Sequence, residues 1–432
     1  MSKKHSPASY IVLGILLLAL IVVLVLLSRA EKRASEAVPA AVTEVSSPLP
    51  QTPVPSSAPE STAAPSVTPE PTAEPEATPE PEPEYFTISM IGDCTLSASP
   101  DKLGWGIGFQ MTVGDDYTYP FANTADLLDD DYVTIGNLEC CLSDNSYSSI
   151  EQFTFLSRAA YANVLSEGSV EFVTLANNHT RDFGDGAYND TKAALDAVGV
   201  TCAGEDECFL YQTGDGLKLG IYCLYNRLTG NAMSLLSADA QRKLAEESKA
   251  LIDAGLRSLQ EQGAEYTLAC LHMGTEGNYE TTDVQVELCR YAIDAGFGSV
   301  YCTHAHRLQP AEIYGDGIIF YGLGNWIFGG HTNPGNGGDP AAYDTGIAQI
   351  TVKRTGSRAV LDSYGFIPCS ISSTVDPSTG SPGVNTVNNY QPTPYTEGSE
   401  AYQRAMSILG GTYEGANYAV GNYWDILAAM NG

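Results

Sequence analysis

Short apolar runs alternate with amphipathic segments through most of residues 86–328, and this alternation constrains the fold more than any other feature. The runs "YFTISMIGDC", "EYTLACLHMGTE" and "GIIFYGLGNWIF" at 317–328 each predict one strand. Apolar residues recur at helical intervals in "GAYNDTKAALDAVGV", where Gly199 is the expected stop signal, and in residues 241–263, and "YPFANTADLLDDD" at 119–131 predicts a short helix. This alternation predicts an α/β layer architecture. The later runs "TGIAQITVKR" and "RAVLDSYGFIP" have no helix between them, so they predict a hairpin that makes the sheet mixed.

Polar side chains of the kinds that bind metals follow the predicted strands, at the point where each strand ends. Asp93 follows the strand from Phe86 to Ile91, and Asn178 follows the strand from Phe172 to Ala176. The full set at such positions is Asp93, Glu139, Asn178, His272, His304 and His306. Because the carboxyl ends of neighbouring strands converge at one edge of a sheet, we expect these side chains to meet there.

The expected ligands are a mixture of oxygen and nitrogen donors. Without a thiolate cage, this mixture favours Mn²⁺, Fe or Zn²⁺ over a structural zinc site of the cysteine type. His304 and His306 are alternate residues and face the same way, which suits either chelation or the lining of a cleft. The candidates exceed one tetrahedral shell, so we expect two divalent ions, which at about 3.5 to 4 Å apart activate water and neutralise phosphoryl oxygens.

Other polar residues near the same strand ends have predicted supporting roles. His179 could protonate a leaving oxygen, with Asp182 fixing its tautomer, although an ordinary turn or helix-capping role for Asp182 stays open. Asn177 is interpreted as a turn-forming residue. The residues predicted to support the ligands or to contact the substrate are Asn137, Glu276 and Asn325.

The ten cysteines, all after residue 93, suggest two other hypotheses. If the domain is external, Cys202 and Cys208 are the candidates for a local disulfide, whereas most of the others lie in apolar runs typical of buried cysteines. The competing chemistry is a cysteine nucleophile paired with a histidine, for which the candidates are Cys94, Cys140, Cys141 and Cys302. No cysteine is followed by a helix-start pattern that would stabilise a thiolate, so metal chemistry is favoured.

Residues 10–28, "YIVLGILLLALIVVLVLLS", carry no charge and are close to the ~20 residues that span a bilayer as a helix. After a short tail at 1–9, they predict an uncleaved signal anchor, because no A-x-A cleavage pattern follows. Basic residues flank both sides and do not decide the orientation. Residues 29–84 are rich in Pro, Thr, Ser, Ala and Glu, and are predicted to be a disordered spacer that holds an extracellular domain away from the cell membrane.

The formal net charge of −31 argues against one class of partner. Binding to a phosphate backbone needs basic patches, so we expect no nucleic-acid partner.

Six motifs, in order, resemble those of the capsule-synthesis CapA/PgsA family. They are "GD" at 92–93, "GNLE" at 136–139, "ANNHTRDFG" at 176–184, "HMGTE" at 272–276, "THAHRLQPAEIY" at 303–314 and "GLGNWIF" at 322–328. Their order and spacing match over roughly residues 86–370. The chain is therefore identified as a member of that family, with a domain at 85–370 and a loop and helix extension at 371–432 packed on it.

The resemblance implies a fold and a site. It places the chain in the calcineurin-like metallophosphoesterase superfamily, with a four-layer α/β/β/α fold built on mixed sheets. It assigns metal binding to the six strand-end ligands and the catalytic role to His179. The chain departs from the superfamily pattern at Thr95, where Asp-x-His would place a histidine, so one metal position is expected to be under-coordinated. Met273 and Ala305 replace a usual tryptophan and proline.

The leading hypothesis is a membrane-anchored extracellular protein with a dinuclear, phosphoesterase-type hydrolytic site, acting in the synthesis or export of an anionic capsule polymer, poly-γ-glutamate. The expected partners are that polymer or a phosphoester substrate, the membrane through residues 10–28, and a membrane-bound capsule-synthesis complex. Two alternatives stay open. One is a general extracellular phosphomonoesterase or phosphodiesterase, and the other is a non-catalytic scaffold of a polymer-export complex.

Overall fold

The computed structural model describes residues 81–97, 108–149, 153–229, 237–329, 339–376, 379 and 388–416. These residues all belong to one compact unit, Ala77–Gly432. The predicted membrane span at 10–28 lies outside them, as does the predicted spacer up to residue 80. Within the described ranges, no helix is both long and apolar enough to cross a membrane.

The described residues form sixteen strands, which make two sheets and one short pair. They are β1 (Glu84–Cys94), β2 (Val133–Leu138), β3 (Cys141–Leu142), β4 (Leu156–Ser157), β5 (Phe172–Thr174), β6 (Thr201–Ala203), β7 (Glu207–Tyr211), β8 (Leu219–Thr229), β9 (Tyr266–Gly274), β10 (Ser299–Thr303), β11 (Ala311–Tyr314), β12 (Gly317–Phe320), β13 (Asn325–Ile327), β14 (Asp344–Thr355), β15 (Arg358–Ser370) and β16 (Thr393–Pro394).

Both sheets are mixed, as predicted. Sheet A has the order β16-β15-β14-β1-β2-β5-β6, with β13 also paired to β1. Its strands β1, β2, β5, β6 and β13 pair in parallel, while β14 and β15 form the predicted antiparallel hairpin. Sheet B has the order β11-β12-β10-β9-β8-β7, in which β12, β10, β9 and β8 pair in parallel and both edge strands are antiparallel.

Helices cover the outer faces of both sheets, which gives four layers. The α-helices of the described residues are α1 (Phe109–Val113), α2 (Ala162–Glu167), α3 (Gly184–Ala197), α4 (Ala238–Glu261), α5 (Asp283–Ala295) and α6 (Glu400–Leu409). Leu195 of α3 packs in the core outside sheet A, and Ile252 of α4 packs in the core outside sheet B. Between the sheets, Ile135 and Leu268 share a third core. Each such fully buried aliphatic side chain stabilises the fold by about 1.5–3 kcal/mol.

Burial and capping explain why these segments form their elements. All nine residues of β9 and all six of β2 are buried, because these strands are covered on both faces. The long helix α4 is capped by the Ser237 hydroxyl, and α5 begins with a reciprocal capping box between Thr282 and Gln285. Gly199, the predicted stop signal beyond α3, has φ +78°.

The run at 317–328, predicted as one strand, forms two strands in different sheets. β12 pairs with β10 in sheet B, whereas β13 pairs with β1 in sheet A. Gly324 has φ +71°, a conformation that glycine adopts without strain, and it lies where the chain crosses between the sheets. The crossing places Asn325 beside Asp93.

Two other predictions were wrong. The helix predicted within residues 119–131 is two short 3-10 turns, at Tyr119–Phe121 and Ala125–Leu127, because proline removes an N–H and apolar residues are too few for a buried stripe. All ten cysteines are free thiols, so the predicted Cys202–Cys208 disulfide does not form. The two residues lie on β6 and β7, which belong to different sheets, and the Cys208 thiol donates to the Gly255 carbonyl.

Candidate metal centre

The carboxyl ends of parallel strands from both sheets meet at one edge of the fold. Asp93 is in β1 and Glu139 directly follows β2, while His272 is in β9 and the other two histidines follow β10. The predicted ligands that contact one another there are Asp93, Glu139, Asn178, His272, His304 and His306. Asp93, Glu139, His272 and His304 are at most 2% exposed.

The first half of the cluster, called the Asp93 half, consists of Asp93, His306, Asn325 and the shared Glu139. His306 Nδ1 lies 3.1 Å from Asp93 Oδ2 and 3.0 Å from Asn325 Oδ1. His306 Nε2 lies 3.9 Å from Glu139 Oε1. This half is rich in oxygen donors.

The second half, called the His272 half, consists of His272, His304, Asn178 and the shared Glu139. His272 Nε2 lies 2.7 Å from Asn178 Oδ1, 3.1 Å from His304 Nδ1 and 3.6 Å from Glu139 Oε1. On its other side, His272 Nδ1 lies 2.8 Å from the Thr303 hydroxyl. If Nδ1 donates to that hydroxyl, the Nε2 lone pair faces other acceptor atoms, an arrangement that a cation would stabilise.

Glu139 Oε1 belongs to both halves and is buried without a hydrogen-bond partner. His304 Nε2 is a second such orphaned atom among the described residues. A buried carboxylate oxygen without a donor is costly, and a bound cation would remove that cost. The donor set therefore fits divalent metal ions, and Glu139 is common to both groups of residues that could hold one.

The electrostatics of the cluster agree with this fit at two of its three histidines, His272 and His304. Burial, followed by the neighbouring imidazoles, lowers the pKa of His272 and of His304 well below the usual value, so both rings are neutral and can bind a metal. Burial also raises the pKa of Glu139 well above its usual value, against the opposing charge of His306. Burial alone would lower the pKa of His306, but the Glu139 and Asp93 carboxylates raise it to about 9.

Asn137 and Asn177 form a hydrogen-bond chain that holds the carboxylates. Asn137 Nδ2 donates to Asp93 Oδ1 at 2.8 Å and to Glu139 Oε2 at 3.2 Å. Asn177 Nδ2 in turn donates to Asn137 Oδ1, and Asn177 Oδ1 accepts from the His179 backbone N–H. Asn177 therefore links the ligand cluster to the His179 loop, a role beyond the predicted turn. In the sequence, this role of Asn177 is indicated by its position directly before Asn178.

His179 and Asp182 contact each other as the sequence suggested. His179 Nδ1 lies 3.0 Å from Asp182 Oδ2, an oxygen that also accepts from the Phe155 backbone N–H. The Phe155 ring packs edge-on against the imidazole with ring centroids 5.0 Å apart. These contacts fix the ring and leave Nε2 to hold or deliver a proton.

The remaining predicted residues differ in their distance from the cluster. Glu276 lies at its rim, with Oε1 3.9 Å from His304 Nε2 and a 60% exposed side chain. Thr95 is turned away, because its hydroxyl donates to Ser97 O and accepts from Gly329 N.

His304 and His306 have φ +97° and +51°, values rare for non-glycine residues and typical of strained functional loops.

The cysteine alternative finds no support at this edge. Burial raises the pKa of Cys94 and of Cys141 to about 12, and it raises that of Cys140 well above its usual value. Thiols with such values stay protonated near neutral pH and are poor nucleophiles. The fourth candidate, Cys302, is buried with its sulfur 3.3 Å from that of Cys289, on the helix side of sheet B.

Comparisons with known proteins agree with the resemblance in the motifs. The chain is 25% identical to the capsule biosynthesis protein CapA of Bacillus anthracis over 297 residues, which are 65% of this chain and 67% of that protein. It is 27% identical to the PGA biosynthesis protein CapA of Bacillus subtilis over 208 residues, which are 45% of this chain and 50% of that protein.

A solved structure with a remote likeness is that of a calcineurin-like phosphoesterase from Bacillus subtilis, at 12% identity and a TM-score of 0.37, over 78% of this chain and 99% of that one. The match that decides the family lies in the sequence, at residues 87–330, which is more than half of the chain and the part that contains the candidate metal ligands. The chain belongs to the bacterial capsule synthesis protein family PGA_cap.

Proposed function

We propose that this chain is a metal-dependent, phosphoesterase-type hydrolase that acts in the synthesis or export of an anionic capsule polymer, poly-γ-glutamate, at the outer face of the cell membrane. The family and the names of its relatives support the role in capsule synthesis. The apolar run at 10–28 and the proline-rich segment after it support membrane anchoring and an extracellular domain.

The observation that carries the proposal is the position of Glu139. Its orphaned Oε1 lies between two sets of donors, one around His306 and one around His272. A carboxylate shared by two ligand sets is typical of a dinuclear site, whereas a purely structural ion pair would have its oxygens hydrogen-bonded.

Different residues of the chain would bind the metal ions and transfer the proton. Bound divalent ions would supply Lewis-acid activation of water and neutralisation of phosphoryl oxygens. Asp93 and His306 would help to hold one ion, and His272, His304 and Asn178 the other, with Glu139 between the two sets. His179, held at Nδ1 by Asp182, would deliver a proton from Nε2 to the leaving oxygen.

Elemental analysis and a hydrolysis assay on the same full-length preparations test the proposal. The wild type should contain two divalent ions and hydrolyse a chromogenic phosphodiester. His179→Ala should retain the ions and lose roughly 10²- to 10⁴-fold in kcat. Arg158→Ala, which removes an exposed ion pair with Asp115, is the control and should match the wild type.

Two results would contradict parts of this proposal. A wild type without bound metal and without turnover would leave a scaffold in a polymer-export complex as the better hypothesis. The second result has two parts: the metal-loaded protein cleaves simple phosphoesters, and cells that carry His179→Ala make an unchanged capsule. Together these observations would favour a general phosphoesterase.

A further inference from the structure

The Asp93 half receives no ligand from Thr95, the residue two positions after Asp93. The Thr95 hydroxyl donates to Ser97 O at 3.2 Å and accepts from the Gly329 N–H at 2.8 Å. It is fully buried in this arrangement. If this half binds an ion, any further protein ligand must therefore come from a residue other than Thr95.

We propose that the amide oxygen of Asn325 is a metal ligand of the Asp93 half and takes the position that Thr95 does not fill. This inference rests on the proposed function, because it presupposes that the cluster binds divalent ions.

The backbone is arranged to bring Asn325 to this position. β13 is only three residues long and pairs in parallel with β1, with Asn325 in register with Asp93. The Asp93 N–H donates to Gly324 O at 2.9 Å. Gly92 allows this approach, because a Cβ atom there would lie 2.3 Å from Gly324 O. The chain leaves sheet B after β12 and pairs briefly with β1 through β13. This pairing places Asn325 next to Asp93.

The distances fit a shared ion. Asn325 Oδ1 lies 3.0 Å from His306 Nδ1, and Asp93 Oδ2 lies 3.1 Å from the same nitrogen. Two neighbouring ligands at right angles around an ion, each bound at about 2.1 Å, are themselves about 3 Å apart. Asn325 is 2% exposed, so its amide is held at this depth within the cluster.

With Asn325 included, the two halves have different chemistry. The Asp93 half would offer the oxygens of Asp93 and Asn325 with Nδ1 of the His306 imidazole. The His272 half would offer two imidazoles with the oxygens of Asn178 and Glu139. Oxygen ligands suit hard ions such as Mn²⁺, and imidazole suits Zn²⁺ and Fe. We therefore expect the Asp93 half to prefer Mn²⁺ over Zn²⁺ relative to the His272 half.

Titration of metal into the full-length chain tests the assignment without reference to activity. The wild type, loaded with Mn²⁺ or Zn²⁺ alone and with both, should bind two ions, with Mn²⁺ retained in one site under competition. Asn325→Ala should keep the ion of the His272 half and bind the other at least 10-fold more weakly. Asn325→Asp, which keeps an oxygen at the same place, should still bind two. Thr95→Val is the matched control and should also bind two.

Each outcome bears on the inference. Asn325→Ala that binds two ions with wild-type affinities would overturn it and leave Asn325 as a hydrogen-bond acceptor for His306. A loss of the second ion in Thr95→Val, with none in Asn325→Ala, would overturn it in favour of Thr95. If Asn325→Ala does not fold, titration of Asn325→Asp with Mn²⁺ decides, since a ligating carboxylate should bind one ion more tightly than the amide does, and unchanged affinities at both sites would overturn the assignment. A wild type that binds no ion would instead refute the proposed function itself.

Discussion

At the scale of single residues, Asn137 has the clearest supporting role, because its amide contacts carboxylates of two strands. Replacing it with alanine removes the donor that holds both Asp93 Oδ1 and Glu139 Oε2. We expect Asn137→Ala to weaken metal binding by about 10- to 100-fold, as is typical when a group that orients ligands is lost. Isothermal titration with Mn²⁺ measures the change. Asn145→Ala removes an exposed hydrogen bond to Asp190 and should bind metal as the wild type does.

Asp182 is predicted to act on the reaction through His179 and not through the metal. Asp182→Asn keeps the size of the side chain and an oxygen for the Phe155 N–H, but it no longer holds the His179 tautomer. We expect kcat to fall by at least about 10²-fold while the metal content stays at the wild-type value. Equal losses of metal and activity would instead assign Asp182 to the architecture of the cluster.

The sequence indicated which residues supply the donors but not how they are held. Strand-end positions predicted the approach of Asp93, Glu139 and the histidines, since the ends of parallel strands converge. The chain from Asn177 through Asn137 joins residues 40 positions apart and depends on side-chain directions that no local pattern encodes. For the same reason, the turn of Thr95 away from the cluster became visible only in the structure.

At the scale of elements, periodicity predicted the helices and the long strands well. α3, α4 and α5 have regular apolar spacing, and β9 is a continuous buried run. The division of residues 317–328 into β12 and β13 was not predicted, because two strands separated by four residues resemble one apolar run. Which sheet a short strand joins depends on long-range pairing, here with β1.

The close approach of β1 and β13 predicts a strong effect of one methyl group. In Gly92→Ala the new Cβ would lie 2.3 Å from the Gly324 backbone oxygen, so the strands must move apart. We expect the free energy of unfolding to fall by at least about 2 kcal/mol, together with weaker metal binding. Gly365→Ala on β15 is the matched control, since nothing lies within 4 Å of its Cβ, and it should be neutral or slightly stabilising. Urea unfolding measures both.

A carboxyl group at the opposite end of β5 predicts a pH dependence of stability. Burial raises the pKa of Glu171 to about 7, despite the hydrogen bond from the Thr134 N–H. The folded protein therefore holds this proton more tightly than the unfolded chain, and the stability contribution is lost as pH rises from about 4.5 to about 7.

Glu171→Gln keeps the acceptor for Thr134 and removes the titration. Relative to the wild type, we expect this variant to gain on the order of 1–2 kcal/mol in the free energy of unfolding between pH 5 and pH 7.5, after allowance for solvent screening. Chemical unfolding at several pH values measures the difference. A difference that does not change with pH would contradict the burial of the charge.

At the scale of the whole molecule, the metal centre joins the two sheets. Asp93, Glu139 and Asn178 come from sheet A and its loops, whereas the three histidines come from sheet B. A bound ion would therefore link the two layers of the folded chain, whereas the unfolded chain offers no such site. Metal binding should stabilise the fold by mass action.

The expected size of this stabilisation follows from the affinity. At an ion concentration about 100 times Kd, one site adds about 2.7 kcal/mol, which in a domain of this size corresponds to a rise in Tm of roughly 4 to 5 °C. Calorimetry of the full chain with a chelator, and again after Mn²⁺ is restored, measures the shift. The Glu139→Gln variant should show a much smaller rise in Tm when Mn²⁺ is restored, because it loses the carboxylate charge shared by both halves. An equal shift in Glu139→Gln would mean that the stabilising ion binds elsewhere on this acidic chain, and that the edge where the two sheets meet is held by its own hydrogen bonds.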